Sequence, residues 1–227
     1  MTKKIATLPE RAIEGGSLVL IGHFNPSIFH PLWFAKQDLL SAAEADSAEV
    51  QLIHPEVAAF SIEWLSVQVT KERFTATASD FGHLEPLRDL VDGTFGILEH
   101  TPISKMGFNH DLHYRVATPN ALHEIMEGLT QDGMFKEVLH DSETVSIRKR
   151  GTRRGIKDAM VQFSIELSTR VSPGVYFGVN EHYDAGDSSN ETGNLMAKLR
   201  ERWRTYHIYA RDACQKLLSS LTLGVID

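Results

Sequence analysis

The stretch Phe60 to Ala78 reads F-S-I-E-W-L-S-V-Q-V-T-K-E-R-F-T-A-T-A. From Phe60 to Val69 the side chains alternate. Phe60, Ile62, Trp64, Ser66 and Gln68 fall on one face; Ser61, Glu63, Leu65, Val67 and Val69 fall on the other. Period-two alternation marks a strand. Lys71-Glu72 then supplies a turn and Arg73 to Ala78 returns, so the segment predicts a β-hairpin.

The neighbours extend the pattern. Leu84 to Leu98 places Leu87, Leu90, Val91, Phe95 and Leu98 at steps of three and four, the spacing of an amphipathic helix. Ile103 to Val116 reads as a long strand. Upstream, Ser17 to Phe24 is a strand ended by Asn25-Pro26, and Pro31 to Leu40 is helical with Pro31 in the first turn. Ser41 to Ser47 reads as a loop or a fraying helix end. The resulting order is β-α-β-β-α-β, the ferredoxin-like split arrangement, over residues 1–118.

The second lobe, residues 119–227, differs. A short helix over Asn120 to Leu129 precedes three strand candidates in hairpin order: Glu143 to Arg150, Asp158 to Thr169 and Val175 to Tyr183. The polar stretch 184–190 reads as a loop. A long helix, Glu191 to Leu221, closes the chain. No sequence repeat and no interdomain linker separates the lobes, so one continuous domain fits as well. The fold class expected is α+β, a mostly antiparallel sheet with helices on one face.

The closing helix carries Met196, Leu199, Trp203, Tyr206, Ala210, Ala213, Leu217 and Leu221 at near-heptad steps. Such a seam suits a homodimer contact. It suits equally a helix lying across its own sheet.

Composition excludes several classes. One cysteine in 227 residues rules out an internal disulfide framework and a four-cysteine zinc site. No apolar run approaches the ~20 residues that span a bilayer, and the N-terminus lacks a signal-peptide core. These point to a cytoplasmic protein with no membrane role. No P-loop, G-x-G-x-x-G, G-x-S-x-G or H-E-x-x-H occurs. No cofactor is expected.

One segment asks for a partner. Arg148 to Lys157 reads R-K-R-G-T-R-R-G-I-K, with Arg148, Lys149, Arg150, Arg153, Arg154 and Lys157 as six cations in a chain of net charge −7. Gly151 and Gly155 bracket a hairpin tip. Like charges at this density repel unless an anionic surface faces them. Nucleic-acid phosphates and an acidic protein surface both meet that need.

The chemistry-bearing residues are fewer. In G-F-N-H-D-L-H-Y-R, strand alternation puts Phe108, His110, Leu112 and Tyr114 on an apolar face and Asn109, Asp111, His113 and Arg115 on a polar one. His110 is therefore expected to be a buried, hydrogen-bonded core residue. Asp111 and His113, with His23 or Asn25 as a third group, form the alternative: a small metal-dependent hydrolase or nuclease-like site. Cys214 lies within the closing helix and reads as packing.

Three segments together resemble a family. They are R-F-T-A-T followed by P-L-R-D-L-V-D-G-T-F-G-I-L, then I-S-K-M-G-F-N-H-D-L-H-Y, then V-Y-F-G-V-N-E-H-Y-D. The pattern resembles a sporadically distributed family of uncharacterised bacterial and archaeal proteins. The resemblance implies no activity and transfers no site residues. Its scattered distribution suits accessory or defence-associated genes. The functional expectation is a non-catalytic binding or assembly protein that meets an anionic partner through the basic tip.

Overall fold

The computed structural model describes residues 8–130, 138–186 and 191–222. The chain runs β1 (Glu10–Gly22), α1 (Pro31–Lys36), α2 (Ala42–Asp46), β2 (Glu49–His54), β3 (Val57–Ser61), β4 (Leu65–Thr70) and β5 (Arg73–Ala78). It continues α3 (Leu84–Ile97), β6 (Ile103–Arg115), α4 (Pro119–Gly128), β7 (Ser146–Thr152), β8 (Met160–Leu167), β9 (Gly174–Asp184) and α5 (Glu191–Thr222). The strands form one nine-stranded sheet in the order β2-β3-β4-β5-β1-β6-β9-β8-β7. Every pairing is antiparallel. This is a mixed α+β fold. The sheet crosses the boundary expected at residue 118 without a break, because β9 pairs with β6 from Lys105 to Arg115.

Two features differ from expectation. Phe60 to Val69 is not one strand. The chain turns at Ile62, Glu63 and Trp64, so that β3 and β4 form a hairpin. As one strand, Phe60 and Leu65 would face opposite ways. The turn returns the chain, and both are buried on the same side, at 0% and 2% exposure. Secondly, β2 adds an unpredicted edge strand. Ser41 to Ser47 is a formed helix turn: Ser41 Oγ accepts from the Glu44 amide at 3.2 Å, while Glu44 Oε2 accepts from the Ser41 amide at 2.8 Å. That reciprocal pair is a capping box.

The two halves trace the same path. Each opens on a 13-residue strand, β1 or β6. Each then passes through helix (α1 and α2 in the first half, α4 in the second) and a meander whose last strand pairs back on the first, and each ends in a helix. β1 and β6 pair with each other, Leu18 opposite Phe108 and Gly16 opposite His110. Ser17 and Asn109 face each other midway between those pairs, and Asn109 Nδ2 donates to Ser17 Oγ at 3.1 Å. The sequence hides this repetition because the connecting segments differ in length and composition.

One face of the sheet holds the core. Leu18, Leu20, Phe74, Phe108, Leu112, Phe177 and Val179 are all at most 1% exposed there. The seam of α5 lies on this face. Met196, Leu199, Trp203, Tyr206 and Ala210 are buried within the chain. Trp203 Nε1 donates to the Leu84 carbonyl at 3.1 Å, and its ring meets Phe108 edge-on at 5.2 Å. Tyr206 donates to the Val179 carbonyl at 2.5 Å. These five seam residues therefore cover the chain's own sheet, since the aromatic rings find their apolar and polar partners there, while Ala213, Leu217 and Leu221 further along the seam are half-buried. Among the described residues, no helix is long and apolar enough to cross a membrane.

Among the described residues, the opposite face carries no helix. It presents short polar side chains: Thr75, Thr77, Ser17, Asn109, Asn180, Gln162 and Ser164, each partly exposed.

Candidate functional site: a basic sheet edge

Among the described residues, β7 is an outer strand, paired with β8 alone. Alternation along it turns Ile147 into the core and leaves Arg148 and Arg150 on the helix-free face beside Ser164 and Gln162. Lys149 points to the other side, next to Phe163. Arg154 and Lys157 stand on the tip beyond the strand, both exposed. Gly155 there has φ +82°, a left-handed backbone that glycine adopts without steric cost, as its bracketing position in the run suggested. Of these five cations, only Arg148 has a carboxylate within ion-pair distance among the described residues, Glu166 at 3.7 Å.

Arg153 is different: of the six cations expected to meet an anionic partner on the tip, it is turned into the chain's own core. Arg153 is 9% exposed. Its Nη1 lies 3.2 Å from Glu181 Oε2, its Nη2 donates to the Thr205 carbonyl at 3.0 Å, and its guanidinium sits 4.4 Å over the Tyr209 ring. The cause is Glu181, a fully buried carboxylate on the core face of β9. Burying an ionised carboxylate demands a paired cation. Tyr183 also donates its hydroxyl to Glu181. The signal was present in V-Y-F-G-V-N-E-H-Y: alternation puts Glu181 in line with Val175, Phe177, Val179 and Tyr183, all inward.

The alternative site does not assemble. Asp111 and His113 share the helix-free face, as expected, but both are engaged. Tyr176 donates to Asp111 Oδ1 at 2.5 Å, and His113 Nδ1 pairs with Ser168 Oγ at 2.8 Å. Burial and the nearby Arg170 charge lower the His113 pKa. His23 is out of reach. It follows Gly22, which pairs with Ile103, eight positions along β6 from Asp111, or about 26 Å at ~3.3 Å per residue. Asn25 lies beyond it, its side chain accepting from the Ser27 amide at 3.3 Å. Arg115 is exposed at the far end of β6. Among the described residues, no group of three or more His, Cys, Asp or Glu side chains could hold a metal ion.

His110 is fully buried, as its strand position predicts. Its partners come from distant segments. Glu14 Oε1 lies 2.7 Å from His110 Nε2, and His207 Nδ1 lies 2.8 Å from His110 Nδ1. Arg211 donates to both Glu14 oxygens, at 2.5 and 2.7 Å, and Arg11 lies 3.0 Å from Oε2. Gly16 makes the approach possible: a Cβ there would meet the Asn109 carbonyl at 2.7 Å and Leu84 at 2.9 Å, and would lie 3.4 Å from His207. Burial pushes the Glu14 carboxyl up. Hydrogen bonds from His110 and Arg211, with the His110 and Arg11 charges, outweigh burial and hold it at about 2. Burial, then the charges on His110 and Arg211, lowers His207 well below its ordinary 6.5.

A pH dependence follows. Below 6.5 the unfolded chain protonates His207 more readily than the folded one, so stability falls with pH. Between 4.5 and about 2, the unfolded chain likewise binds the Glu14 proton first, and stability falls again. Both groups act in the same direction. Melting temperatures across this range should drop from near neutrality downward, with a second decline below 4.5. In His207→Phe the decline that begins near 6.5 should shrink.

Cys214 is buried in α5, where burial pushes its thiol up to about 12, in keeping with a packing role. No family model matches this chain, and no curated protein matches it.

Proposed function

We propose that this protein is a non-catalytic binding protein whose partner is nucleic acid, held along the β7 edge and the adjoining helix-free sheet face. The observation that carries the reading is the set Arg148, Lys149, Arg150, Arg154 and Lys157: exposed, clustered, and almost without carboxylate partners among the described residues. Cations on an edge strand also deter edge-to-edge sheet pairing. That role needs one or two charges, and it gives no reason for further cations at the tip.

Nucleic acid is favoured over an acidic protein by what lies beside the cations. Gln162, Ser164 and Asn180 continue from Arg148 and Arg150 across the face. Amides and hydroxyls of this kind donate to phosphate and sugar oxygens. Sequence-tolerant stacking is not part of the reading, because Tyr176, the Phe, Tyr or Trp ring on that face among the described residues, is hydrogen-bonded to Asp111 and packs against His113 at 4.9 Å. We read β1, β4, β5 and β6 with α3 as a ferredoxin-like split unit, extended by β2 and β3. Its support is the order β4-β5-β1-β6.

Pull-down with and without nuclease tests the reading. The tagged protein should bring down nucleic acid from its source cell, and nuclease should release it. Capture of an acidic protein that survives nuclease would replace nucleic acid with a protein partner.

A further inference from the structure

On the helix-covered side, opposite the basic face, the start of α3 and the middle of α5 enclose a cavity of about 530 Å³. Phe81, Leu84, Arg88, Arg204, His207 and Arg211 line it. That volume suits a small organic molecule.

His207 gives the cavity its meaning. The residue is 4% exposed, and among the described residues its Nε2 is the one buried side-chain nitrogen or oxygen without a hydrogen-bond partner. Buried polar groups are nearly always paired, so an orphan beside a cavity needs a cause. Its other nitrogen is fixed by His110, which Glu14 fixes in turn. The ring is therefore held in one orientation by two buried partners, as a recognition group would be.

The surroundings favour an anion. Arg204 is exposed on α5, with no carboxylate within ion-pair distance among the described residues. Arg88 sits one turn into α3, where Glu85 at 2.7 Å and Asp89 at 2.5 Å share its charge. α3 is 14 residues long, and its N-cap, His83, makes no side-chain capping bond. That end is already occupied: the 3-10 turn Phe81–His83 runs into it, the Leu84 amide donates to the Phe81 carbonyl, Pro86 has no N–H and Glu85 stands in the first turn, so the arginines, not helix amides, supply the positive charge. The remaining wall is Glu85, whose carboxylate is held by Arg88, together with the apolar Leu84, Ile208 and the Phe81 ring, over which Arg211 lies at 3.2 Å.

We propose that this cavity binds a small organic anion. Its acidic group meets Arg204 and Arg88 at the start of α3. Its apolar body lies on Leu84, Ile208 and Phe81. A hydrogen bond joins it to His207 Nε2. The site is independent of the basic sheet edge.

Isothermal titration with benzoate, phenyl phosphate and inorganic phosphate tests it. At least one of the two aromatic anions should bind, and at least tenfold more tightly than inorganic phosphate, which lacks the apolar body. Arg204→Gln, an exposed change that leaves the fold in place, should weaken that binding at least tenfold. His207→Phe should do the same, and a thermal melt of each variant confirms that it is folded. Should His207→Phe fail to fold, Arg204→Gln decides. No binding of either aromatic anion, or equal affinity in the parent and Arg204→Gln, would overturn the proposal.

Discussion

Arg153→Ala is expected to destabilise the protein by about 3–5 kcal/mol, the cost of leaving a buried charge without its partner. Glu181 is fully buried and takes its countercharge from Arg153. The substitution also removes the bond to the Thr205 carbonyl and the cation over Tyr209, which together tie the β7–β8 hairpin to α5. Arg154, its neighbour, is exposed and has none of these contacts, so Arg154→Ala should change stability by no more than about 0.5 kcal/mol. Urea denaturation of the two variants checks the contrast. Equal stabilities would mean that Arg153 is an ordinary surface cation.

Trp203→Ala is expected to cost about 3–5 kcal/mol through a core cavity and a lost hydrogen bond. The ring is fully buried among Phe108, His207 and Leu84. The same residue sits in the seam that also suits a dimer, and the two roles predict different data. A sheet-covering tryptophan lowers the unfolding midpoint by the same amount at every protein concentration. A dimer contact would make the parent's midpoint rise with concentration and the variant's fall behind it.

Much of the fold was legible where one residue pattern has one solution. The helix at 84–98 and the strand at 103–116 were set by clean periodicity, and both appear within a residue or so of expectation. β2 was not legible. It is an edge strand whose Val50 and Leu52 are 45% and 47% exposed, so no buried face imposes alternation on it, and its pairing shifts register between them. Phe60 to Val69 misled because the turn at 62–64 happens to continue the alternation of the strands it joins. For the closing helix, a coiled-coil seam and a sheet-covering stripe require nearly the same spacing. Only the facing residues, Phe108 and Val179, distinguish them.

The polar sites divide in the same way. His110 could be placed in the core from its own strand. Glu14 and His207, 96 and 97 residues away in sequence, could not be joined to it without the topology. The basic run announced itself by density alone, but density does not say which cation a buried carboxylate will claim. Glu181 claims Arg153 because the turn after β7 delivers that guanidinium to the core side, while Arg148 and Arg150 point to the other face.

The central claim, that the basic edge binds a polyanion, is tested most directly by the salt dependence of oligonucleotide binding. Fluorescence anisotropy of a labelled duplex would be followed against salt for the parent and for the triple variant Arg148→Ala, Arg150→Ala, Arg154→Ala. These three side chains are exposed, so the variant should fold as the parent does. The parent should bind, with log affinity falling linearly against log salt. The variant's slope should be shallower by about 0.9 for each phosphate contact removed, with weaker binding at every salt concentration. A parent that binds no duplex, or a variant with the parent's affinity and slope, would contradict the account.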